Sequence, residues 1–120
     1  LNKTVTAQIS VDSQIVMQVF ENILSNAVRY AKSSISIQYA VDPDRFSITV
    51  TDDGKGFDDI ALKSATNPFY TTEKRADTVQ HLGLGLNICK ILCERHNGSI
   101  VLSNNMRTGA SVTVRFGMTD

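Results

Sequence analysis

Several features that are rare or missing in this chain of 120 residues limit its possible functions. It has no tryptophan, only two cysteines and two prolines, and no apolar run near the ~20 residues that span a bilayer. Twelve basic residues balance twelve acidic ones, which argues against a surface that recruits nucleic acid or an anionic membrane. The first residues show neither an initiator Met nor a signal peptide. We therefore expect a monomeric, cytoplasmic fragment of a longer protein, whether or not that parent is anchored in the inner membrane.

The two cysteines, Cys89 and Cys93, lie four residues apart in a helical pattern, and His96 follows three residues later. All three share one helix face, so a partial zinc site is one interpretation. A structural zinc site takes four ligands, however, and the chain has no further cysteine. The favoured interpretation is two small apolar helix residues in a reducing compartment.

Apolar periodicity divides the chain into strands and helices. Alternation predicts strands at residues 5–11, 35–41, 46–50, 100–104 and 110–116. One helix is predicted from a cap at Asp12 or Ser13 to about Ala31, a short one over 58–63, and a third from Gly83 to Asn97. The turn at residues 42–44 predicts an antiparallel hairpin.

This order of elements predicts an α+β fold in one domain, residues 1–120. We expect a two-layer α/β sandwich, with a mixed, mostly antiparallel sheet of about five strands and about three helices on one face. Between the second hairpin strand and Gly83 the periodicity fails. A loop this long inside a compact domain is usually functional or mobile.

Three polar motifs carry candidate chemistry, and the first lies on the first helix. Asn22 and Asn26 are four residues apart and therefore differ by only ~40° around the helix. Arg29 and Tyr30 continue that face one turn later. This stripe is either a shelf for a polar ligand or, as for most polar stripes, a solvated outer face.

The second motif follows an apolar strand and reads Asp52-Asp53-Gly54-Lys55-Gly56-Phe57. A carboxylate at a strand end accepts an amine hydrogen bond, and alternating glycines let the backbone pass close to a flat ligand. An acidic turn punctuated by glycines would look the same.

The third motif is Gly83-Leu84-Gly85-Leu86, predicted to open the last long helix. Backbone N–H groups at a helix start form an anion site suited to phosphates. The motif is neither a Walker loop nor a dinucleotide fingerprint, because neither spacing is present. Glycine-assisted helix packing is the alternative.

Together, in this order, the motifs resemble those of histidine kinases, within the group that also includes DNA gyrase, the mismatch-repair ATPases and the ninety-kilodalton heat-shock chaperones. Residues 18–30 are similar to the kinase N box, residues 52–56 to the first glycine box, residues 67–72 to the F box and residues 83–86 to the second glycine box. The resemblance implies a Bergerat-type ATP-binding fold and covers essentially the whole chain.

The resemblance also implies roles for particular residues. Asp52 would bind the adenine amine, with Tyr30 packing beside the base, and Asn26 would give its oxygen to Mg²⁺ bridging the ATP phosphates, supported by Asn22. Arg29 would reach toward phosphate oxygens. The remaining nucleotide-binding candidates are Gly54, Gly56, Phe57, Thr72, Lys74, Gly83, Leu84, Gly85 and Leu86.

Two departures from the family pattern concern the ATP lid, residues 58–82. His81 stands where another glycine is usual, and it is either a phosphate contact or a plain exposed histidine. Glu73 intervenes between the threonines and Lys74, so either Lys74 or Arg75 is the candidate phosphate cation.

A further comparison separates kinases from hydrolases. The related ATPases place a glutamate base four residues before the magnesium asparagine, where this chain has Asn22, and Glu21 lies ~140° away around the helix. We therefore expect transfer of the ATP γ-phosphate to a histidine on a dimerisation and phosphoacceptor segment outside this chain, and from there to a response regulator. A nucleotide-binding regulatory module or an ATPase is the alternative.

Overall fold

The computed structural model describes residues 11–64, 76–105 and 109–118, with the backbone alone for Ser64 and residues 76–85. In chain order its elements are α1 (Ser13–Tyr30), β1 (Ile35–Val41), β2 (Arg45–Asp52), α2 (Asp59–Ser64), α3 (Ala76–Arg95), β3 (Ser99–Asn104) and β4 (Ala110–Gly117).

Helix α1 begins at a side-chain cap, as predicted. The Asp12 carboxylate accepts the backbone N–H groups of Gln14 at 3.1 Å and Ile15 at 3.3 Å, which satisfies donors that lack a partner within the helix. Four buried residues at spacings of three and four form its inner face: Val16, Val19, Ile23 and Ala27. The helix ends at Tyr30 because Ala31 is extended.

The four described strands form one sheet in the order β1-β2-β4-β3, and all three pairings are antiparallel. The predicted hairpin is confirmed: β1 and β2 join at Asp42, whose Oδ1 accepts the N–H groups of Asp44 and Arg45. At the opposite end of this hairpin Ile35 pairs with Asp52. The predicted fifth strand falls on residues 5–11 and, except for its last residue, lies outside the described residues.

Alternating side chains give the sheet one apolar and one polar face. Six buried residues of β2 and β4 pack against α1 and α3: Phe46, Ile48, Val50, Val112, Val114 and Phe116. The other face pairs hydroxyls across the two strands, Thr49 with Thr113 and Thr51 with Ser111, each at 2.9 Å. The predicted two-layer α+β architecture is therefore confirmed.

Helix α3 begins at Ala76, so the prediction that it opens at Gly83 is wrong, and residues 76–82 belong to this helix rather than to a loop. The prediction failed because it required apolar periodicity, whereas polar residues such as Gln80 are compatible with a helix. Two interior glycines cost about 1 kcal/mol each relative to alanine, which a helix of 20 residues can carry. The helix closes as predicted: Asn97 has φ 59°, and Gly98 N–H bonds the Cys93 carbonyl at 2.8 Å.

Strand β1 lies at the edge of the described sheet and is more exposed than β2. Its residues Ile37, Tyr39 and Val41 are 44%, 64% and 42% exposed. Ile37 and Tyr39, together with Met17 and Phe20 of α1, border an apolar groove of about 370 Å³. The dense core therefore lies between the two long helices and the two central strands.

Candidate functional site

The hairpin register brings the end of α1 to the end of β2. Only four residues link Tyr30 to Ile35, and Ile35 pairs with Asp52. The backbone of Gly54 then crosses the end of α1 so closely that a Cβ at this position would lie 2.2 Å from the Tyr30 carbonyl oxygen. The end of the first predicted motif therefore lies against the second motif, and Gly54 is needed for this close approach.

Asp52 is the only buried charged side chain among the described residues, with 6% of its surface exposed. Its Oδ1 accepts the N–H groups of Gly54 at 2.8 Å and Ala110 at 3.3 Å. A buried carboxylate held in this way suits recognition of a hydrogen-bond donor.

The other end of the loop formed by residues 52–57 (the 52–57 loop) is fixed to β3 by a side chain. Asn104 accepts the Phe57 N–H at 2.7 Å and donates to the Phe57 carbonyl at 2.8 Å. Phe57 packs against the core, and Gly56 has φ 80°, a conformation that disfavours other residues. Asn104 was not among the predicted residues, although an amide at a strand end often bonds a neighbouring backbone segment.

A second missed residue is Asp53. Its Oδ1 accepts the Lys32 and Ser33 N–H groups at 2.8 and 2.9 Å, and its Oδ2 accepts the Ser33 hydroxyl at 2.7 Å. The Ser33 hydroxyl, followed by the backbone N–H groups of this turn, holds the pKa of Asp53 well below its usual range. This carboxylate therefore ties the turn after α1 to the 52–57 loop.

The polar stripe of α1 flanks its buried face. Asn22, Asn26 and Tyr30 are half-buried, whereas Arg29 is exposed. The half-buried Asn22 side chain acts against the burial that raises the pKa of the Cys89 thiol on α3. The stripe is consequently not a fully solvated face, although its role in ligand binding remains an expectation.

The two cysteines belong to the core. Both are 0% exposed, and the Cys89 thiol donates to the Val19 carbonyl at 3.7 Å. Burial raises the pKa of each thiol to about 12, which keeps both protonated. The interpretation of these residues as small apolar core residues therefore agrees with their burial.

The remaining predicted residues divide into two groups. Thr72, Lys74 and Arg75 lie outside the described residues. Gly83, Leu84 and Gly85, like His81, lie within α3, and Leu86 is a buried core residue. The prediction of a helix start with free N–H groups at Gly83 is therefore wrong, because N–H groups inside a helix bond the carbonyl four residues earlier.

Comparison with known proteins then assigns the family. Residues 11–120 match the family described as histidine kinase-, DNA gyrase B- and HSP90-like ATPase. The chain belongs to this family. It is 36% identical to the sensor histidine kinase SpaK of Bacillus subtilis over 88% of its length, and 34% identical to the sensor histidine kinase CpxA of Escherichia coli over 78%. It spans 23% of SpaK and 21% of CpxA.

Solved structures show the same fold for this ATPase family member. The mycobacterial sensor histidine kinase MprB superposes with a TM-score of 0.75 at 19% identity, covering 92% of this chain and 77% of MprB. Full-length ShkA in complex with AMPPNP superposes with a TM-score of 0.79 at 23% identity, covering 96% of this chain and 24% of ShkA. Within the described ranges, no helix is long and apolar enough to cross a membrane.

Proposed function

We propose that this chain binds Mg-ATP and acts as the catalytic part of a histidine kinase, passing the γ-phosphate to a histidine outside the chain. The observation that carries the proposal is the buried Asp52 carboxylate, with Oδ1 bonded to backbone N–H groups beside the end of α1. The names of the relatives, sensor histidine kinases, support the reaction, and the AMPPNP complex of ShkA supports the ligand class.

Adenine recognition falls to the 52–57 loop and the end of α1. The Asp52 Oδ2 accepts the adenine amine, while Gly54 and Gly56 keep side chains away from the plane of the base. Tyr30, half-buried where Gly54 crosses α1, packs beside the base. Phe57, fixed by Asn104, closes the pocket on the β3 side.

Asn26 is the proposed magnesium ligand. No group of three or more His, Cys, Asp or Glu side chains that could enclose a metal occurs in the described part of the chain. One half-buried amide oxygen fits an ion that retains several waters and takes its charge compensation from phosphates. When bound, Mg²⁺ supplies charge stabilisation for the phosphates, with Arg29, Thr72 and Lys74 as the proposed phosphate contacts. The backbone N–H groups of residues 83–85 would join them only if the beginning of α3 opened, because in the helix they are bonded to carbonyls.

The surroundings of Asn22 favour transfer over hydrolysis. An amide cannot take a proton from water at neutral pH, so Asn22 cannot serve as the base of a hydrolase. Glu21, the neighbouring acid, is exposed on another side of α1. Phosphoryl transfer requires mainly positioning and charge stabilisation, so the nucleophile can come from a separate phosphoacceptor segment, with a response regulator as the later acceptor.

Calorimetry on Asn26→Ala tests the nucleotide site. We expect the variant to bind ATP more weakly than the wild type in Mg²⁺, and to bind adenosine almost equally, because only the phosphates share the metal. The matched control is Asn105→Ala, which removes an amide near Asp52 rather than one on α1. Unchanged ATP affinity in Asn26→Ala would refute the metal assignment.

Radiolabelled ATP tests the reaction in three mixtures: this chain alone, the parent's phosphoacceptor segment alone, and both together. We expect acid-labile, base-stable label on the segment only when both are present. Rapid phosphate release by the chain alone would place it among the ATPases. No label in the mixture at any concentration would favour a regulatory nucleotide-binding module.

A further inference from the structure

Asp53 makes more hydrogen bonds to backbone and side-chain donors than a surface turn requires. It accepts from Lys32 N–H, Ser33 N–H and the Ser33 hydroxyl at 2.7 to 2.9 Å, across 20 residues or more of sequence. Both oxygens are used, so the carboxylate is held in one orientation. A carboxylate that only stabilised its own turn would not need to bond Lys32 and Ser33 in a second segment.

The segment that it holds is the connection out of α1. Lys32 and Ser33 lie between Tyr30, the last residue of α1, and Ile35, the first of β1. Neither N–H can bond within α1, because the backbone is already extended at Ala31. Asp53 therefore supplies the acceptor that these two groups need and fixes the position of the helix end.

Asp53 also stands between two residues of the adenine pocket. Asp52 precedes it, and Gly54 follows it with its backbone against the Tyr30 carbonyl. A backbone approach this close tolerates little relative movement between the 52–57 loop and α1. If the turn moved away, Gly54 and Tyr30 would separate and the pocket wall would open.

We propose that Asp53 is a positioning residue for nucleotide binding, which joins the end of α1 to the 52–57 loop so that the adenine pocket is formed before the nucleotide arrives. This inference rests on the proposed function. Asp53 itself touches no ligand: it acts through Lys32 and Ser33. Preorganisation of this kind raises affinity by removing the cost of ordering the pocket during binding.

The test measures the affinity of this chain for ADP and for adenosine, well below the melting temperature of each variant. We expect Asp53→Ala to weaken both ligands by roughly five- to twentyfold, since the adenine pocket is common to them. Asp53→Asn should restore most of the affinity, because its amide oxygen can still accept both N–H groups and its NH₂ can donate to Ser33. Ser33→Ala, which removes one hydroxyl, should weaken binding about two- to threefold.

Asp42→Ala is the matched control. Asp42 also accepts two backbone N–H groups, from Asp44 and Arg45, but at the opposite end of the β1–β2 hairpin. At about 3.4 Å per residue the eight residues of β2 place it roughly 24 Å away. It should lower stability without changing affinity.

The outcomes separate the two proposals. Equal affinity of Asp53→Ala and the wild type for ADP would overturn the positioning role, as would an equal loss of affinity in Asp42→Ala. Should Asp53→Ala fail to fold, unchanged affinity in Ser33→Ala, with a lowered melting temperature, would show a purely structural role and overturn the inference. Failure of the wild type to bind ADP would instead refute the proposed function.

Discussion

Two adjacent carboxylates at the end of β2, Asp52 and Asp53, have different hydrogen-bond partners. Asp52 points into the core layer, is buried, and is bonded through Oδ1 to Gly54 and Ala110. Asp53, in the bend after β2, bonds the turn after α1. In the proposed site, Asp52 would contact the ligand while Asp53 braces the pocket.

Asp52 should determine the preference of the site for adenine over guanine. Asp52→Ala should bind ATP poorly, and the wild type should prefer ATP to GTP. A guanine carbonyl placed opposite the Asp52 Oδ2 would set acceptor against acceptor, a buried mismatch of roughly 1–3 kcal/mol. Competition between the two nucleotides for a fluorescent ADP analogue measures the preference. Equal affinities for ATP and GTP would contradict the assigned role of Asp52.

The lowered pKa of Asp53 determines how this brace depends on pH. Its folded value lies below the ordinary value of 3.8, so its contribution to stability is fully present above that pH and is lost as the pH falls further. The brace is therefore ionised throughout the neutral range. Changes in nucleotide affinity between pH 6 and 8 would have to come from other groups.

Among the elements, α3 poses a conflict between its secondary structure and its proposed role. Its helix runs from Ala76 through Gly83 and Gly85, so the backbone N–H groups proposed to hold phosphates lie in the helix interior. A helical N–H is bonded to a carbonyl four residues earlier and is not free to bind an anion. The phosphate contact therefore requires the beginning of α3 to open.

We accordingly expect Mg-ADP to reduce the helix content of residues 76–82, whereas adenosine leaves it unchanged. Far-ultraviolet circular dichroism and residue-specific hydrogen exchange measure the effect. Gly83→Ala favours the helix by about 1 kcal/mol and should weaken ADP binding relative to adenosine binding. Retention of the full helix with bound Mg-ADP would show that the phosphates bind elsewhere.

One core cluster joins the helices and the sheet in the described part of the chain, and its two thiols allow a test of that core. Cys89 and Cys93 lie between the helices and the sheet, and burial raises the pKa of each to about 12 from an ordinary 9.0. Between pH 9 and 12 the thiols of the unfolded chain lose their protons, whereas those of the folded chain keep them. The free energy of unfolding should therefore fall as the pH rises above about 9.

Urea unfolding between pH 7.5 and 10.5 measures this decline. The double variant Cys89→Ala, Cys93→Ala should show a smaller decline, although it should be less stable at every pH because small cavities remain. Thiol reagents should label the folded wild type slowly and the urea-unfolded chain completely. Identical pH dependence in the wild type and the double variant would contradict burial of the thiols.

Elements whose signal is local could be predicted without knowledge of the fold. Apolar periodicity and the Asp12 cap defined α1, alternation defined β1 to β4, and residues 42–44 defined the hairpin turn. The sequence also predicted that Asp52, Gly54 and Gly56 belong to one motif, because a carboxylate and two glycines within five residues form a recognisable pattern. These features depend on short-range sterics and hydrogen bonding between residues that are near one another in the sequence.

Contacts between residues far apart in the chain could not be predicted in this way, because they depend on the fold. No sequence spacing pairs Asp53 with Ser33 or Asn104 with Phe57, since these contacts follow from the register of β1 on β2 and of β3 on β4. The start of α3 was misjudged for a related reason. Polar and glycine residues carry weak local preferences, so the extent of such a helix depends on its surroundings, which a sequence does not display.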